Sequence, residues 1–189
     1  MNEKICASEE PRHAWPESMV NVKDRIVLDL GCGLFGNTHL FKKGERMWNN
    51  IQLNNMMSTS EWWLKLGAKM VIGLDINKSD IEALRDTIGS EKAIFLNEPV
   101  VSWEQIKGLV EKYNVDVIKS DTEGFETVII DAPDEEFKIV KEYYIEVHHW
   151  VRQGLVEQTI EKCKRCGYTI RDTLYVTDLI GPLCVFAYK

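Results

Sequence analysis

Charged side chains interrupt an apolar segment of this 189-residue chain where a buried strand is expected. Strands at the centre of a parallel sheet are covered on both faces and normally read as continuous hydrophobic runs. The segment IKSDTEGFE at 118–126 instead places Lys119, Asp121, Glu123 and Glu126 around the end of one strand. Buried charges are costly unless they are paired, so such a group of residues indicates a site.

A second polar pair stands in the next predicted strand, YYIEVH at 143–148. Side chains alternate between the two faces of a strand, which puts Glu146 and His148 on the same face. Carboxylate and imidazole groups can transfer protons near neutral pH. The alternative interpretation is an ion-pair network that only joins the two strands.

A glycine-rich turn, DLGCG at 29–33, follows the first apolar run. With the next residues it matches the GxGxxG pattern of dinucleotide-binding folds, which is a weak signal by itself. Glycines permit a tight bend and a close approach of the backbone to a ligand. We therefore expect Gly31, Cys32 and Gly33 to contact a nucleotide-like cofactor.

The positions of two acids, Asp29 and Asp75, distinguish between a dinucleotide and S-adenosylmethionine as the cofactor. Dinucleotide folds place the ribose-binding acid about 20 residues beyond the glycines, whereas here Asp75 follows Gly36 by 39 residues. Asp29 precedes the glycines, where it can accept from a cationic amino group such as that of S-adenosylmethionine. An acid there has no evident use beside a pyrophosphate, so the pattern favours S-adenosylmethionine. The alternative for Asp29 is a structural acid that hydrogen-bonds its own turn.

The ends of the second and third predicted strands supply further cofactor candidates. Asp75 stands at the carboxyl edge where open α/β sheets bind ligands, and its carboxylate can accept both ribose hydroxyls. Ile76 can pack on an adenine face. Asn97 and Glu98 are candidates for the adenine amino group, although Asn-Glu-Pro also suits a simple turn.

These motifs resemble those of known methyltransferases. VLDLGCG at 27–33 resembles the first motif of Rossmann-like methyltransferases, and 118–126 resembles the lysine, aspartate and Glu-Gly signature of FkbM-like methyltransferases. IEVH at 145–148 is similar to the Glu-x-His strand of that family. The resemblance runs from about Arg25 to the end of the chain. It implies a seven-stranded sheet, S-adenosylmethionine as cofactor, and O-methylation of hydroxyl groups, often on sugars or glycosylated products.

The chain departs from the family pattern in two places. Residues 37–57 intervene between the glycine turn and the next helix, and DIN at 75–77 stands where the family commonly has a Glu-Pro pair.

The polar residues at the ends of these strands are candidates for catalysis of methyl transfer. Asp121 is the first candidate for the base or acceptor-orienting group, Glu123 the second, and His148 an alternative base. Lys119 is expected to pair with Glu146 or another acid inside the sheet. We assign no metal, and a divalent cation held by Asp121, Glu123 and His148 is the weaker alternative.

Apolar runs that alternate with helical stripes predict an α/β fold, a three-layer Rossmann-like methyltransferase domain with a mostly parallel sheet. The predicted strands are Arg25–Leu30, Met70–Leu74, Ala93–Leu96, Val115–Ser120, Tyr143–His148, Tyr168–Asp172 and Leu183–Tyr188. Predicted helix starts are capping boxes at Ser58 with Glu61, Ser79 with Glu82 and Ser102 with Gln105, and a last helix spans Val151–Cys166. Residues 1–24 are predicted to form an N-terminal arm, 25–189 the domain, and 37–57 an inserted loop or lid.

Composition limits the partners. The net charge of −7 argues against a nucleic-acid partner. Without a long apolar run or a signal-peptide pattern we expect no membrane association and a cytoplasmic location. The expected partner is a small-molecule or sugar-containing acceptor, and the oligomeric state stays open. An NAD(P)-dependent oxidoreductase and a catalytically silent cofactor-binding protein are the competing functions.

Overall fold

The computed structural model describes residues 20–33, 47–48, 51–52, 58–88, 91–175 and 183–189. Its strands are β1 (Ile26–Leu30), β2 (Met47–Trp48), β3 (Ile51–Gln52), β4 (Met70–Asp75), β5 (Ala93–Asn97), β6 (Val117–Ser120), β7 (Glu142–Val147), β8 (Thr169–Tyr175) and β9 (Leu183–Tyr188). Its helices are α1 (Thr59–Lys65), α2 (Lys78–Ile88), α3 (Trp103–Tyr113), α4 (Glu126–Ile130), α5 (Asp134–Phe137) and α6 (Leu155–Arg165).

Seven strands form one sheet in the order β5-β4-β1-β6-β7-β9-β8, and β2 and β3 pair separately as a short antiparallel ribbon. The five strands from β5 to β7 are parallel, whereas β9 runs antiparallel to both of its neighbours. The predicted seven strands are confirmed. The sheet is mixed rather than mostly parallel, because the last two elements are adjacent strands with no helix between them among the described residues.

The sheet is covered on both faces. In β1, Leu28 and Leu30 belong to one core cluster, packed with α3 and α6, while Val27 belongs to a second cluster on the other face with Trp63 of α1. A third, smaller cluster joins α2 to the sheet edge and includes Cys32. The alternation along β1 follows the period of two and produces the predicted three layers.

Helix starts follow the predicted caps at two of three places. Ser58 and Ser102 accept from the backbone N–H groups of Glu61 and Gln105 at 3.1 and 3.2 Å. The predicted cap at Ser79 is wrong, because Ser79 already lies inside α2, which begins at Lys78, and the side chain of Asn77 accepts from the Ser79 N–H at 3.1 Å.

The last helix also begins later than predicted. It starts at Leu155 rather than at Val151, after a turn that ends at Gly154 with φ of 71°.

The predicted arm over 1–24 and the inserted segment over 37–57 lie largely outside the described residues. Among the residues that are described, no helix has the length and apolar character needed to cross a bilayer.

Candidate active site at the carboxyl edge of the sheet

A cavity of about 210 Å³ lies where β1, β4, β5 and β6 end. Four predicted cofactor residues and two predicted catalytic residues line it. The lining residues are Gly31, Leu74, Asp75, Ile76, Glu98, Pro99, Val100, Asp121, Thr122, Glu123 and Phe125. The strand order places the glycine turn beside the polar end of β6, so two separate sequence motifs share one cavity.

The glycine turn is fixed against the strand ends on both sides. The N–H of Gly31 donates to the carbonyl of Leu74 at 2.9 Å. Gly31 has φ of 71°, and a Cβ at this position would lie only 1.8 Å from the carbonyl oxygen of Asp121. Glycine is required here by both conformation and space.

Asp75 joins the second strand to the same turn. One carboxylate oxygen accepts from the N–H of Gly33 at 2.8 Å, and the other from the N–H of Asn77 at 2.8 Å. A Cβ at Gly33 would lie 2.7 Å from the carboxylate of Asp75, so this glycine also permits a close approach. Asp75 therefore lines the cavity and holds the turn, and its ribose contact stays a prediction.

Of the remaining predicted cofactor residues, some line the cavity and the others hold the backbone around it or lie in the core. Ile76 is 74% exposed beside the cavity, and Glu98 lines it. The Asn97 amide donates to the carbonyls of Asp75 and Ile76 at 3.0 Å each, which ties two strand ends together. Cys32 is buried in the core, and burial raises the pKa of its thiol well above the usual range. Only the backbone of Cys32 is thus available at the turn.

Asp29 and Lys119 form a fully buried ion pair beneath the turn. They are register partners on β1 and β6, and Lys119 Nζ lies 3.1 Å from Asp29 Oδ1. The ammonium group donates to the carbonyl of Gly31 at 2.8 Å, and the Ser60 hydroxyl donates to Asp29 Oδ2 at 2.8 Å. Burial lowers the pKa of Lys119, but Asp29 and then Asp121 outweigh it, so the pKa is raised and the lysine stays charged.

This geometry confirms that Lys119 pairs with an acid inside the sheet. Asp29 does not line the cavity, so its predicted contact with a cofactor stays a prediction.

Glu126 orients His148 from behind. Its Oε1 atom lies 3.0 Å from His148 Nδ1 and accepts from the N–H groups of Thr122 and Gly124 at 3.2 Å each. Burial raises the pKa of Glu126, but the hydrogen bond with His148 outweighs it, so the pKa is lowered. Burial lowers the pKa of His148, and the same hydrogen bond reverses this, so the pKa is raised. The two side chains therefore act as one dyad.

The other ring nitrogen of the dyad faces the cavity acids. His148 Nε2 lies 3.3 Å from Glu123 Oε2 and 3.9 Å from Asp121 Oδ1. Glu146 is buried nearby, and potential ligand atoms of Asp121, Glu146 and His148 all lie within 4.8 Å of one another. The structure thus brings together all three predicted catalytic residues, with Glu123 at the exposed rim.

Sequence reasoning missed two supporting contacts, those of Ser60 with Asp29 and of Glu126 with His148. Ser60 belongs to α1, the helix that follows the inserted segment in the sequence, and its hydroxyl donates to Asp29. No local sequence pattern indicates this contact. Glu126 belongs to the motif at 118–126, but its bond to His148 depends on the turn at Glu123 and Gly124, which have φ of 50° and 120°. In the sequence, Gly124 is the one residue of this turn that indicates it.

Comparisons with known proteins give similarity in structure alone. No protein-family model matches the chain, and no curated protein matches it in sequence. A putative RNA methyltransferase from Pyrococcus horikoshii is 16% identical, with a TM-score of 0.53, 94% of this chain and 79% of that chain covered. An S-adenosylmethionine-dependent methyltransferase from Mesorhizobium loti is 15% identical, with a TM-score of 0.53 and coverage of 94% and 98%.

A third solved structure contains a bound cofactor. Magnesium protoporphyrin IX methyltransferase from Synechocystis, with bound S-adenosylmethionine, is 14% identical, with a TM-score of 0.51 and coverage of 94% and 76%. The chain has the Rossmann-like methyltransferase fold. At these identities the methyltransferase fold is what the similarity establishes, and the activity rests on the site.

Proposed function

We propose that the chain is an S-adenosylmethionine-dependent methyltransferase that methylates a hydroxyl group. The observation that carries the proposal is the shared cavity, in which the glycine turn and Asp75 face Asp121. The fold and the S-adenosylmethionine bound in the Synechocystis structure support the cofactor. The glycine cradle supports it too, because side chains at Gly31 and Gly33 would fill the space beside Asp121 and Asp75.

The cofactor would lie along the strand ends. The backbone of Gly31, Cys32 and Gly33 would border its methionine part, Asp75 would accept from the ribose hydroxyls, and Ile76 would pack against adenine. Asp29, held by Lys119, would have two roles. It would help to position the glycine turn, and its carboxylate would accept from the amino group of the cofactor. Asn97 and Glu98 complete the adenine end, with Asn97 acting through the backbone it holds.

Bound S-adenosylmethionine supplies an electrophilic methyl group. Asp121 then has two tasks at the acceptor: it orients the hydroxyl and takes its proton as the oxygen bonds to the methyl carbon. In this reaction S-adenosylmethionine would be the methyl donor, and the electron pair of the broken sulfur–methyl bond would stay on its sulfur. His148 Nε2 lies 3.9 Å from Asp121 Oδ1 and would help to orient that carboxylate toward the acceptor.

The electrostatics of the cavity favour a neutral acceptor. Asp121, Glu123 and Glu98 line it, and like charges repel a phosphate group at this range. Phe125 lines the cavity, and the ring centroid of Trp150 lies 4.9 Å from that of His148. They are 52% and 57% exposed and offer faces on which a sugar or another ring can stack. A small-molecule or sugar-containing hydroxyl acceptor fits these walls, as the FkbM-like motifs suggest.

An RNA acceptor is the second candidate, because structural neighbours include proteins described as RNA methyltransferases. A screen for labelled-methyl transfer to neutral polyols, glycosides and RNA distinguishes the two. Transfer to RNA alone would reject the neutral acceptor.

Calorimetric titration with S-adenosylhomocysteine, NAD and NADP tests the cofactor. We expect S-adenosylhomocysteine alone to bind, and Asp75→Asn to weaken that binding because Asp75 also holds Gly33. Asp86→Asn, at an exposed position of α2, is the matched control that should bind normally. Binding of a dinucleotide alone would exclude the proposed cofactor.

A further inference from the structure

The cluster formed by Asp121, Glu146 and His148 has the composition of a metal site. It offers one imidazole nitrogen and two carboxylates from the ends of neighbouring strands. Glu146 and His148 are 2% and 1% exposed, so both are withdrawn from bulk water. We propose that these three residues bind a divalent cation, with Mn²⁺ or Zn²⁺ as the favoured class, beside the acceptor end of the cavity.

The spacing is close to what one ion requires. Carboxylate and imidazole ligands lie about 2.0–2.2 Å from Zn²⁺, so two ligands of one ion are at most about 4.4 Å apart. His148 Nε2 and Asp121 Oδ1 are 3.9 Å apart, and the whole set falls within 4.8 Å. Asp121 is the most exposed member, with a side-chain exposure of 14%, and a rotation of this side chain would bring the set closer around an ion.

The imidazole is oriented as a ligand. Glu126 occupies Nδ1 of His148 and is itself held by two backbone N–H groups, so Nε2 is the nitrogen left to face the acids. A carboxylate behind a histidine is the usual arrangement at metal sites, because it fixes the tautomer and increases the basicity of the ligand nitrogen. This support comes from α4, an element outside the three-residue cluster.

The local charge also favours a cation. In the described part of the chain, five carboxylates lie around Lys119 and His148. Asp29 and Asp121 lie within 4 Å of the lysine ammonium group, and Asp121, Glu123 and Glu126 lie within 4 Å of the imidazole. Glu146 belongs to the same cluster. That ammonium group lies 3.1 Å from Asp29 but 3.9 Å from Asp121, so its closer ion pair is on the cofactor side of the sheet. A divalent ion would add positive charge on the acceptor side, beside Asp121 and Glu146.

Oxygen and imidazole ligands select Mn²⁺ and Zn²⁺ over softer ions. A three-residue site leaves positions open for an acceptor oxygen, and a bound ion lowers the pKa of that hydroxyl. This role rests on the proposed function. With one oxygen of Asp121 on the ion, the other oxygen would still take the hydroxyl proton, while methyl transfer proceeds with the same bonds formed and broken.

The test measures metal binding without turnover. Chelator-treated protein is titrated with Mn²⁺ and, separately, Zn²⁺ by calorimetry, and bound Mn²⁺ is examined by pulsed electron paramagnetic resonance. We expect one ion per chain with a nitrogen coupling from His148. Glu146→Gln and His148→Gln should weaken binding at least about tenfold, the lower range for loss of metal-site contacts. Glu135→Gln, at an exposed position of α5, is the control that should bind as the wild type does.

S-adenosylhomocysteine affinity is measured on the same samples. Folded protein that binds S-adenosylhomocysteine but neither ion would overturn the metal site and leave the proposed function standing. Equal metal affinity in Glu146→Gln and wild type would also overturn it, and this variant decides the outcome if His148→Gln does not fold. An ion bound with no S-adenosylhomocysteine would support the metal site and reject the proposed function.

Discussion

Replacing Lys119 with methionine should strongly destabilise the protein. The variant keeps the length and most of the apolar volume of the side chain but removes its charge. Asp29, with no exposed surface, would then retain only the Ser60 hydroxyl as a close donor among the described residues, at 2.8 Å. The carbonyl of Gly31 would lose its 2.8 Å bond with the lysine.

The magnitude follows from the burial of both partners. Removing one member of a buried ion pair costs about 3–5 kcal/mol, because the other charge stays buried without compensation. Proteins of this kind have a free energy of unfolding of about 5–15 kcal/mol, so the loss is a large share. With a urea dependence of about 2 kcal/mol per molar, the midpoint should fall by about 1.5–2.5 M.

Urea unfolding followed by circular dichroism and by tryptophan fluorescence measures this shift. Lys78→Met is the matched control, since Lys78 pairs with Glu82 at 3.6 Å with both side chains more than half exposed, and its midpoint should hardly move. The double variant Asp29→Asn with Lys119→Met should recover much of the lost stability. A midpoint for Lys119→Met as high as that of Lys78→Met would refute the buried pair, as would strict additivity in the double variant.

Three further outcomes follow from the same structure. Asp121→Asn should lower labelled-methyl transfer by about 10²-fold or more while calorimetric S-adenosylhomocysteine affinity is unchanged, and undiminished turnover would remove Asp121 from the mechanism. Trp63→Ala should cost about 3–5 kcal/mol in urea unfolding, because this side chain is fully buried between α1 and the sheet, whereas Trp150→Ala, at an exposed position, should not. The dyad of Glu126 and His148 should make the unfolding free energy highest between about pH 4.3 and 6.5, the usual values of the two groups. Charged His148 stops stabilising the fold as the pH rises through its raised pKa, and charged Glu126 stops doing so as the pH falls through its lowered pKa. An unfolding free energy that does not change with pH would contradict the dyad.

The elements that the sequence predicted well are those with strong local signals. The strand Leu183–Tyr188 is found at its predicted bounds, and Ser58 and Ser102 cap helices as their spacing predicts. Asn77 was missed as a cap because Ser79 with Glu82 offered an equally good local pattern. The choice between Asn77 and Ser79 depends on where β4 ends, which is at Asp75 in the structure.

The site was predictable where a residue type conflicted with its surroundings. Asp121 and His148 stood out because charged groups interrupt buried strands, and both lie at the site. The pairing of Asp29 with Lys119 depends on the register of β1 against β6, which neither segment encodes by itself. For the same reason Asn97, predicted as an adenine contact, serves to tie two strand ends in the structure.

Lys119 couples the stability of the fold to the proposed cofactor site, and the two effects can be separated. Its ammonium group balances Asp29 and also holds the carbonyl of Gly31, whose residue is packed against the carbonyl of Asp121. Combining Asp29→Asn with Lys119→Met removes the uncompensated charge but provides no donor for the Gly31 carbonyl. The double variant should therefore regain stability in urea without regaining the wild-type affinity for S-adenosylhomocysteine. Recovery of both together would mean that the ion pair acts on the turn through charge alone, and that the hydrogen bond to Gly31 does not position it.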